Sequence, residues 1–420
     1  MVSNYQTDAE LDAILKYIDS NEAKLYKTVS ELVAFSSVNP CDANGIAAQM
    51  YMASQMESLG LQVKTFESSP NVLNVIGTSQ SNNFVHTLLL LGHIDIVPAN
   101  IEEWKTPPFQ TVISDGKMFG RGTSDMKGSM AGFLMALESI RKVCSKEVGR
   151  IIFASVFGEE IGQSGTRFLQ NQGVNADFAI LGEPSRGRSL HASVGLMNLR
   201  ITLRDSSRLH LGARRNFIHA GGGLIGANCI EKMSIHIIAG LRELERTWGV
   251  VKIHPHMPPG QAMISPYRIE GGDEDWINPS HCSLYVSIFY LPNENEERVK
   301  EEIERYIRAI AATDVWLMQH QPICTWYKPA FIPSELPIEN DGFRNLCNAY
   351  QKITNEKISL GGRGALTDAG WIEAQGIPVV VYGAGDINTA HGNNEFVTLK
   401  DLLVFTKTVA TFMYYWMRAN

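Results

Sequence analysis

At 420 residues the chain exceeds what one ordinary hydrophobic core supports, so two domains are expected. Its 44% hydrophobic and 19% charged residues fit a well-buried globular enzyme and exclude a disordered chain. A formal net charge of -7 argues against nucleic acid or an anionic membrane as the main partner, because both select basic patches. Along the chain, Leu11, Ile14, Leu15 and Ile18 recur at helical spacing, as do Ile46, Met50, Ala53 and Met56, so the segment over about 10–60 reads as helical. Apolar runs at 72–76, 85–91, 151–157 and 178–181 then read as buried strands, with a helix through Met130, Phe133, Leu134, Leu137 and Ile140. This alternation predicts an α/β layered sheet.

The texture changes near Ser193. Alternating strands at 197–203 and 283–290 and long amphipathic helices at 225–248 and 294–311 suggest a small α+β domain with one open sheet face. Beyond about Thr325 a helix at 343–353, a strand at 377–382 and a helix at 399–417 restore the α/β pattern. The expected architecture is a catalytic domain over 1–192 and 325–420, interrupted by an insert over 193–324.

Cys41, Cys144, Cys229, Cys282, Cys324 and Cys347 are scattered and form no C-x-x-C pair, which suits a reducing compartment. The first residues are polar and acidic, without the basic start and apolar run of a signal peptide. No stretch approaches the roughly 18 uncharged apolar residues of a membrane span. A cytoplasmic protein is expected.

The chemistry sits on strand ends. The four runs at 85–91, 151–157, 178–181 and 377–382 lead into Gly92-His93-Ile94-Asp95, Gly158-Glu159-Glu160, Gly182-Glu183-Pro184 and a loop ending Thr389-Ala390-His391-Gly392. A further glycine-rich loop, Gly120-Arg121-Gly122-Thr123-Ser124-Asp125, precedes a helix. Ligands in open α/β sheets bind beyond the carboxyl ends of the strands, where these loops would open. Any one of them alone could be a turn or a solvated surface; together, in this order, they argue a site. His93, Asp125, Glu160, Glu183 and His391 supply two imidazoles and three carboxylates, enough for two adjacent ions if Asp125 bridges. His93 and Glu183 would then serve one ion, and Glu160 and His391 the other. Nitrogen and oxygen donors without thiolate suit zinc, manganese or cobalt. Two ions about 3.5–4 Å apart can activate water and polarise the scissile group together. Asp95, two residues after His93, could accept the other imidazole N–H. Glu159, beside a ligand but not on the same ion, is placed to move the proton.

The segments GHIDIVP, GRGTSDMKG, GEEIG, GEP and TAHGNNE resemble the aminoacylase, acetylornithine deacetylase and succinyl-diaminopimelate desuccinylase family of two-metal peptidases and deacylases, over nearly the whole chain. The resemblance implies a mixed-sheet catalytic domain with an inserted lid that dimerises. It also implies His93, Asp125, Glu160, Glu183 and His391 as ligands, Glu159 as base, Asp95 orienting His93, and a cis peptide after Asp125.

The lid departs from the family pattern. Similar proteins carry a lid histidine that crosses the dimer to stabilise the oxyanion; here His210 has the better spacing and His219 the better neighbour, and His210 is favoured. Arg214, Arg215 and Arg363 are candidates for anion recognition, and Asn278 stands where similar proteins present an asparagine to substrate. The expected activity is hydrolysis of a C–N bond in a small carboxylate-bearing substrate, an N-acyl amino acid or a related amide. The alternatives are removal of an amino group from an electron-poor aromatic acid, and a catalytically silent binding protein on the same fold.

Overall fold

The computed structural model describes residues 9–80, 85–144, 149–205 and 227–418. The chain divides into two compact units: Met1–His191 with Leu336–Gly361 and Thr367–Asn420, and Ala192–Glu335 with Gly362–Leu366.

The first unit is built on a mixed sheet. Its strands run in the order Gln62–Glu67, Leu73–Thr78, Arg150–Val156, Thr87–His93, Phe178–Leu181, Val379–Val381 and Arg188–Ser193, and Ser359–Arg363 also pairs with Arg188–Ser193. From Arg150–Val156 to Val379–Val381 the pairing is parallel. Every residue of Thr87–His93 is buried. A strand covered on both faces has no use for polar alternation, which is why the sequence there reads as an unbroken apolar run. Its side chains divide between two cores. Leu88 and Leu90 join the cluster that includes Phe133, Phe153, Leu346 and Phe405, while Leu89 and Leu91 join the one that includes Leu169, Ala369 and Ile372. The helices Lys127–Val143 and Leu399–Trp416 pack against each other over the first face.

The expected helix at the chain start is Ala9–Ser20, and the second is Ala43–Ser58. A third helix between them, Glu22–Ala34, also lies in the segment expected to be helical.

The second unit carries an antiparallel sheet in the order Met263–Gly271, His281–Tyr290, Gly195–Arg204, Ile323–Phe331. The helical stretch Cys229–Lys232, Met233–Ile238 and Ala239–Val251, and the helix Glu296–Ala311, contribute Met233, Ile237, Leu241, Val299, Ile303 and Ile307 to a core shared with Leu284, Val286 and Ile288. Ile323–Phe331, read from the sequence as lying past the insert, is an edge strand of this sheet. No described helix is long and apolar enough to cross a membrane.

Parallel pairing has one consequence for the site. The strands Arg150–Val156, Thr87–His93, Phe178–Leu181 and Val379–Val381 all end on the same edge of the sheet. The loops after them therefore open side by side, which is where ligand sites form in such sheets.

Candidate metal centre

His93 is the last residue of its strand, and Glu183 follows Phe178–Leu181 by one turn residue. Glu159 and Glu160 follow Arg150–Val156 through Gly158, whose φ of 93° lies in the left-handed region that a glycine adopts without penalty. Asp125 immediately precedes Met126 and the helix Lys127–Val143, and the Asp125–Met126 peptide is cis. His391, at φ 60°, sits in the loop between Val379–Val381 and Phe396–Thr398.

These side chains converge. His93 Nε2 lies 3.2 Å from Asp125 Oδ1 and 3.3 Å from Glu183 Oε1. His391 Nε2 lies 3.2 Å from Asp125 Oδ2 and 3.0 Å from Glu160 Oε2. Asp125 thus turns one carboxylate oxygen to each imidazole, the disposition a bridging ligand needs. Ligand atoms of His93, Asp125 and Glu160, and those of His93, Glu159 and Glu183, fall within 4.8 Å of one another. A set of nitrogen and oxygen donors without a thiolate, with its central carboxylate split between two imidazoles, fits two divalent ions.

Burial and charge shape the cluster. His93 is 1% exposed, yet the carboxylates of Asp125 and Glu183 outweigh that burial and raise its pKa well above the ordinary imidazole range. Hydrogen bonds to Asp125 and Glu160 push His391 up to about 10. Burial, reinforced by neighbouring carboxylates, raises Glu159 and Glu160, and burial lifts Asp368 to about 7. The carboxylates that raise the two imidazoles are the negative charge that bound cations would meet.

Asp95 departs from expectation. The nearest acceptor to His93 Nδ1 is the main-chain carbonyl of Asp95, at 2.9 Å, whereas the Asp95 carboxylate stands 3.6 Å away. The strand ends at His93, so the side-chain alternation of an extended segment does not carry through to Asp95. The carboxylate accepts instead from Asn39 Nδ2 at 2.7 Å and from the backbone N–H of Glu160 at 3.1 Å, which ties the Glu160 loop to the His93 loop.

A second tie was not foreseen. Glu395 is 1% exposed and accepts backbone N–H groups from Gly122, Ser124 and Asp125 at 3.1, 2.8 and 3.0 Å. Arg121 Nη1 donates to the same carboxylate at 2.6 Å, and Arg121 Nη2 donates to His391 O at 3.2 Å. The pair locks the Asp125 loop to the His391 loop. The only sequence signal is a glutamate four residues after a candidate ligand and an arginine between two glycines.

Asn278 and Arg363 belong to the second unit and are 2% and 8% exposed. Asn278 Nδ2 donates to Ala227 O at 2.7 Å, so that amide N–H holds the fold of its own unit. His210, Arg214, Arg215 and His219 lie outside the described residues.

Comparison with known proteins matches this arrangement to a family. A model described as peptidase family M20/M25/M40 matches residues 89–415. An N-formyl-4-amino-5-aminomethyl-2-methylpyrimidine deformylase of Halalkalibacterium halodurans is 35% identical over 418 residues, covering 97% of this chain and 97% of its own. Among solved structures, a tripeptidase from Staphylococcus aureus is similar in fold, with a TM-score of 0.74 at 20% identity over 95% of this chain and 99% of that one. A dinuclear metal binding peptidase from Bacillus subtilis has a TM-score of 0.65 at 14% identity over 96% of this chain and 100% of that one.

Proposed function

We propose, for a chain that belongs to peptidase family M20/M25/M40, hydrolysis of the formamide C–N bond of an N-formyl aminopyrimidine or a close analogue. That the protein is a metal-binding amide hydrolase follows from its family and relatives. The observation that carries the narrower reading is the deformylase relative, at 35% identity over 97% of the chain. Of the two substrates expected for this site, an N-acyl amino acid and a related amide, it favours the related amide. The name of the relative's substrate describes a formamide on an aminomethylpyrimidine and includes no carboxylate.

His93, Glu183 and Asp125 would hold one ion, and His391, Glu160 and Asp125 the other. The imidazole–carboxylate distances support that division. Zinc, manganese or cobalt, when bound, would supply an activated water and polarise the formyl oxygen. Glu159 takes a proton from the attacking water and delivers it to the leaving nitrogen as the C–N bond breaks. A C–O bond forms in its place, giving formate and a free amine. Asp95 positions Glu160 through its backbone and His93 through its own carbonyl. His210 or His219 would meet the developing oxyanion, with Arg214, Arg215, Asn278 and Arg363 as candidate substrate contacts. A homodimer through the second unit is supported by the exposed Met263, Tyr267 and Ile269 on its edge strand. A cytoplasmic location is supported by six free cysteines.

The test is a panel of N-formyl, N-acetyl and N-succinyl amines offered to metal-loaded enzyme, with formate, amine and ammonia all assayed. Formate and amine in equal amounts from the formyl aminopyrimidine are expected. Ammonia without formate would replace this reading with aminohydrolysis of the ring, and an unchanged rate in Glu159→Gln would remove Glu159 from the mechanism.

A further inference from the structure

We infer that Gln163 is a positioning residue that, held by Trp371, keeps Glu159 in its proton-carrying place beside the metal-ligating side chains. The inference rests on the proposed role of Glu159.

Trp371 Nε1 donates to Gln163 Oε1 at 2.8 Å, and Gln163 Nε2 donates to Glu159 Oε1 at 3.1 Å. The two ends of a glutamine amide have nearly equal shapes, so its orientation follows from its partners. An indole N–H can only donate. It therefore claims the Gln163 oxygen and leaves the Gln163 N–H for Glu159. The direction of the chain is fixed by the chemistry of the tryptophan.

The backbone points the same way. Gln163 is 1% exposed and sits at φ 60°, in the left-handed region where glycine or asparagine is the ordinary occupant. Its N–H donates to Gly158 O at 2.8 Å, closing the turn that carries Glu159 and Glu160. A long amide retained in a conformation that disfavours it, with both ends hydrogen-bonded, serves its side-chain contacts and not the turn. Trp371 is itself packed, with the Arg167 guanidinium 4.8 Å from its ring centre.

Held in this way, Glu159 still faces the ligand set. One of its oxygens lies within 4.8 Å of ligand atoms of His93 and Glu183. That reach is what the proposed proton transfer needs, and it is present with the Gln163 bond in place. Gln163 thus restrains Oε1 of the carboxylate that stands beside the ligand set.

The experiment uses the metal-loaded full chain with Gln163→Met, which keeps length and loses both hydrogen bonds, Trp371→Phe, which keeps the ring and loses the N–H, the double variant, and Glu159→Gln. Turnover of the formamide and calorimetric titration of apo protein with zinc are both read. The expected result is kcat lowered about 10–100-fold in Gln163→Met, with KM within about threefold and zinc affinity unchanged. Trp371→Phe shows a smaller loss in kcat, and the double variant is no slower than Gln163→Met, because the two act through one bond. The inference is overturned if Gln163→Met keeps kcat within about twofold, if zinc affinity falls together with kcat, or if the two losses add. Should Gln163→Met fail to fold, Trp371→Phe against Glu159→Gln carries the test alone. Full turnover in Glu159→Gln would overturn the base assignment itself, whereas loss there with none in Gln163→Met overturns only the role of Gln163.

Discussion

Replacing Glu395 by alanine removes the carboxylate that joins the Asp125 and His391 loops. It leaves Arg121, 2% exposed, without the carboxylate it meets at 2.6 Å, and it strips the N–H groups of Gly122, Ser124 and Asp125 of their acceptor. Breaking a buried ion pair by deleting one partner costs about 3–5 kcal/mol, because the remaining charge stays buried without compensation. That is a large part of the roughly 5–15 kcal/mol by which folded proteins are stable. For a unit of this size, losing about 2 cal/mol/K per residue on folding, the thermal midpoint falls by about 5–9 °C. Arg121→Met is milder, at about 1–3 kcal/mol, since the carboxylate keeps its backbone N–H donors. Thermal unfolding of the wild type and both variants, metal-loaded and at one concentration, reads this. A Glu395→Ala midpoint within about 1 °C of wild type, or a larger loss in Arg121→Met than in Glu395→Ala, would refute the clamp.

Other outcomes follow from the same geometry. A Cβ on Gly383 would collide with the backbone oxygens of Gly182 and Glu183, so Gly383→Ala shifts the Glu183 loop and lowers zinc affinity about 10–100-fold, measured by calorimetry. Chelation abolishes turnover and lowers the thermal midpoint, because ions that bind the folded site and not the unfolded chain no longer stabilise it; zinc, manganese or cobalt restores both, and a midpoint indifferent to chelator contradicts this. In the second unit burial pushes Asp314 up, but its bond to Lys232 prevails and holds the carboxyl below its usual range. A carboxyl depressed in the folded state stabilises above its unfolded pKa and loses that contribution as pH falls through the folded value. Asp314→Asn, which keeps the cap on Trp316 N–H and Leu317 N–H, therefore costs about 0.5–1 kcal/mol at pH 7 and progressively less below about pH 4, read by urea unfolding.

The central strands and the candidate ligands were legible because each is a local signal. Thr87–His93 announces itself as an apolar run ending in glycine and histidine, and the other parallel strands are apolar runs that lead into Gly158, Gly182 and Gly383. The edge strands Met263–Gly271 and Ile323–Phe331 escaped because most of their side chains are partly or fully exposed, and a strand without a buried face shows no period of two. The positioning residues escaped because their partners are remote. Arg121 and Glu395 stand 274 positions apart, and Gln163 and Trp371 stand 208 apart. Asp95 was given to His93 by sequence spacing, yet the end of the strand hands that bond to a main-chain carbonyl, which any residue type would carry.

The central claim is that five side chains from five loops hold two ions with Asp125 between them. Anomalous scattering from crystals grown with zinc or manganese tests it directly. Two peaks about 3.5–4 Å apart are expected, one within bonding distance of His93 and Glu183, the other of His391 and Glu160, and both of Asp125. A single peak, or a second ion bound away from Glu160 and His391, would contradict the account.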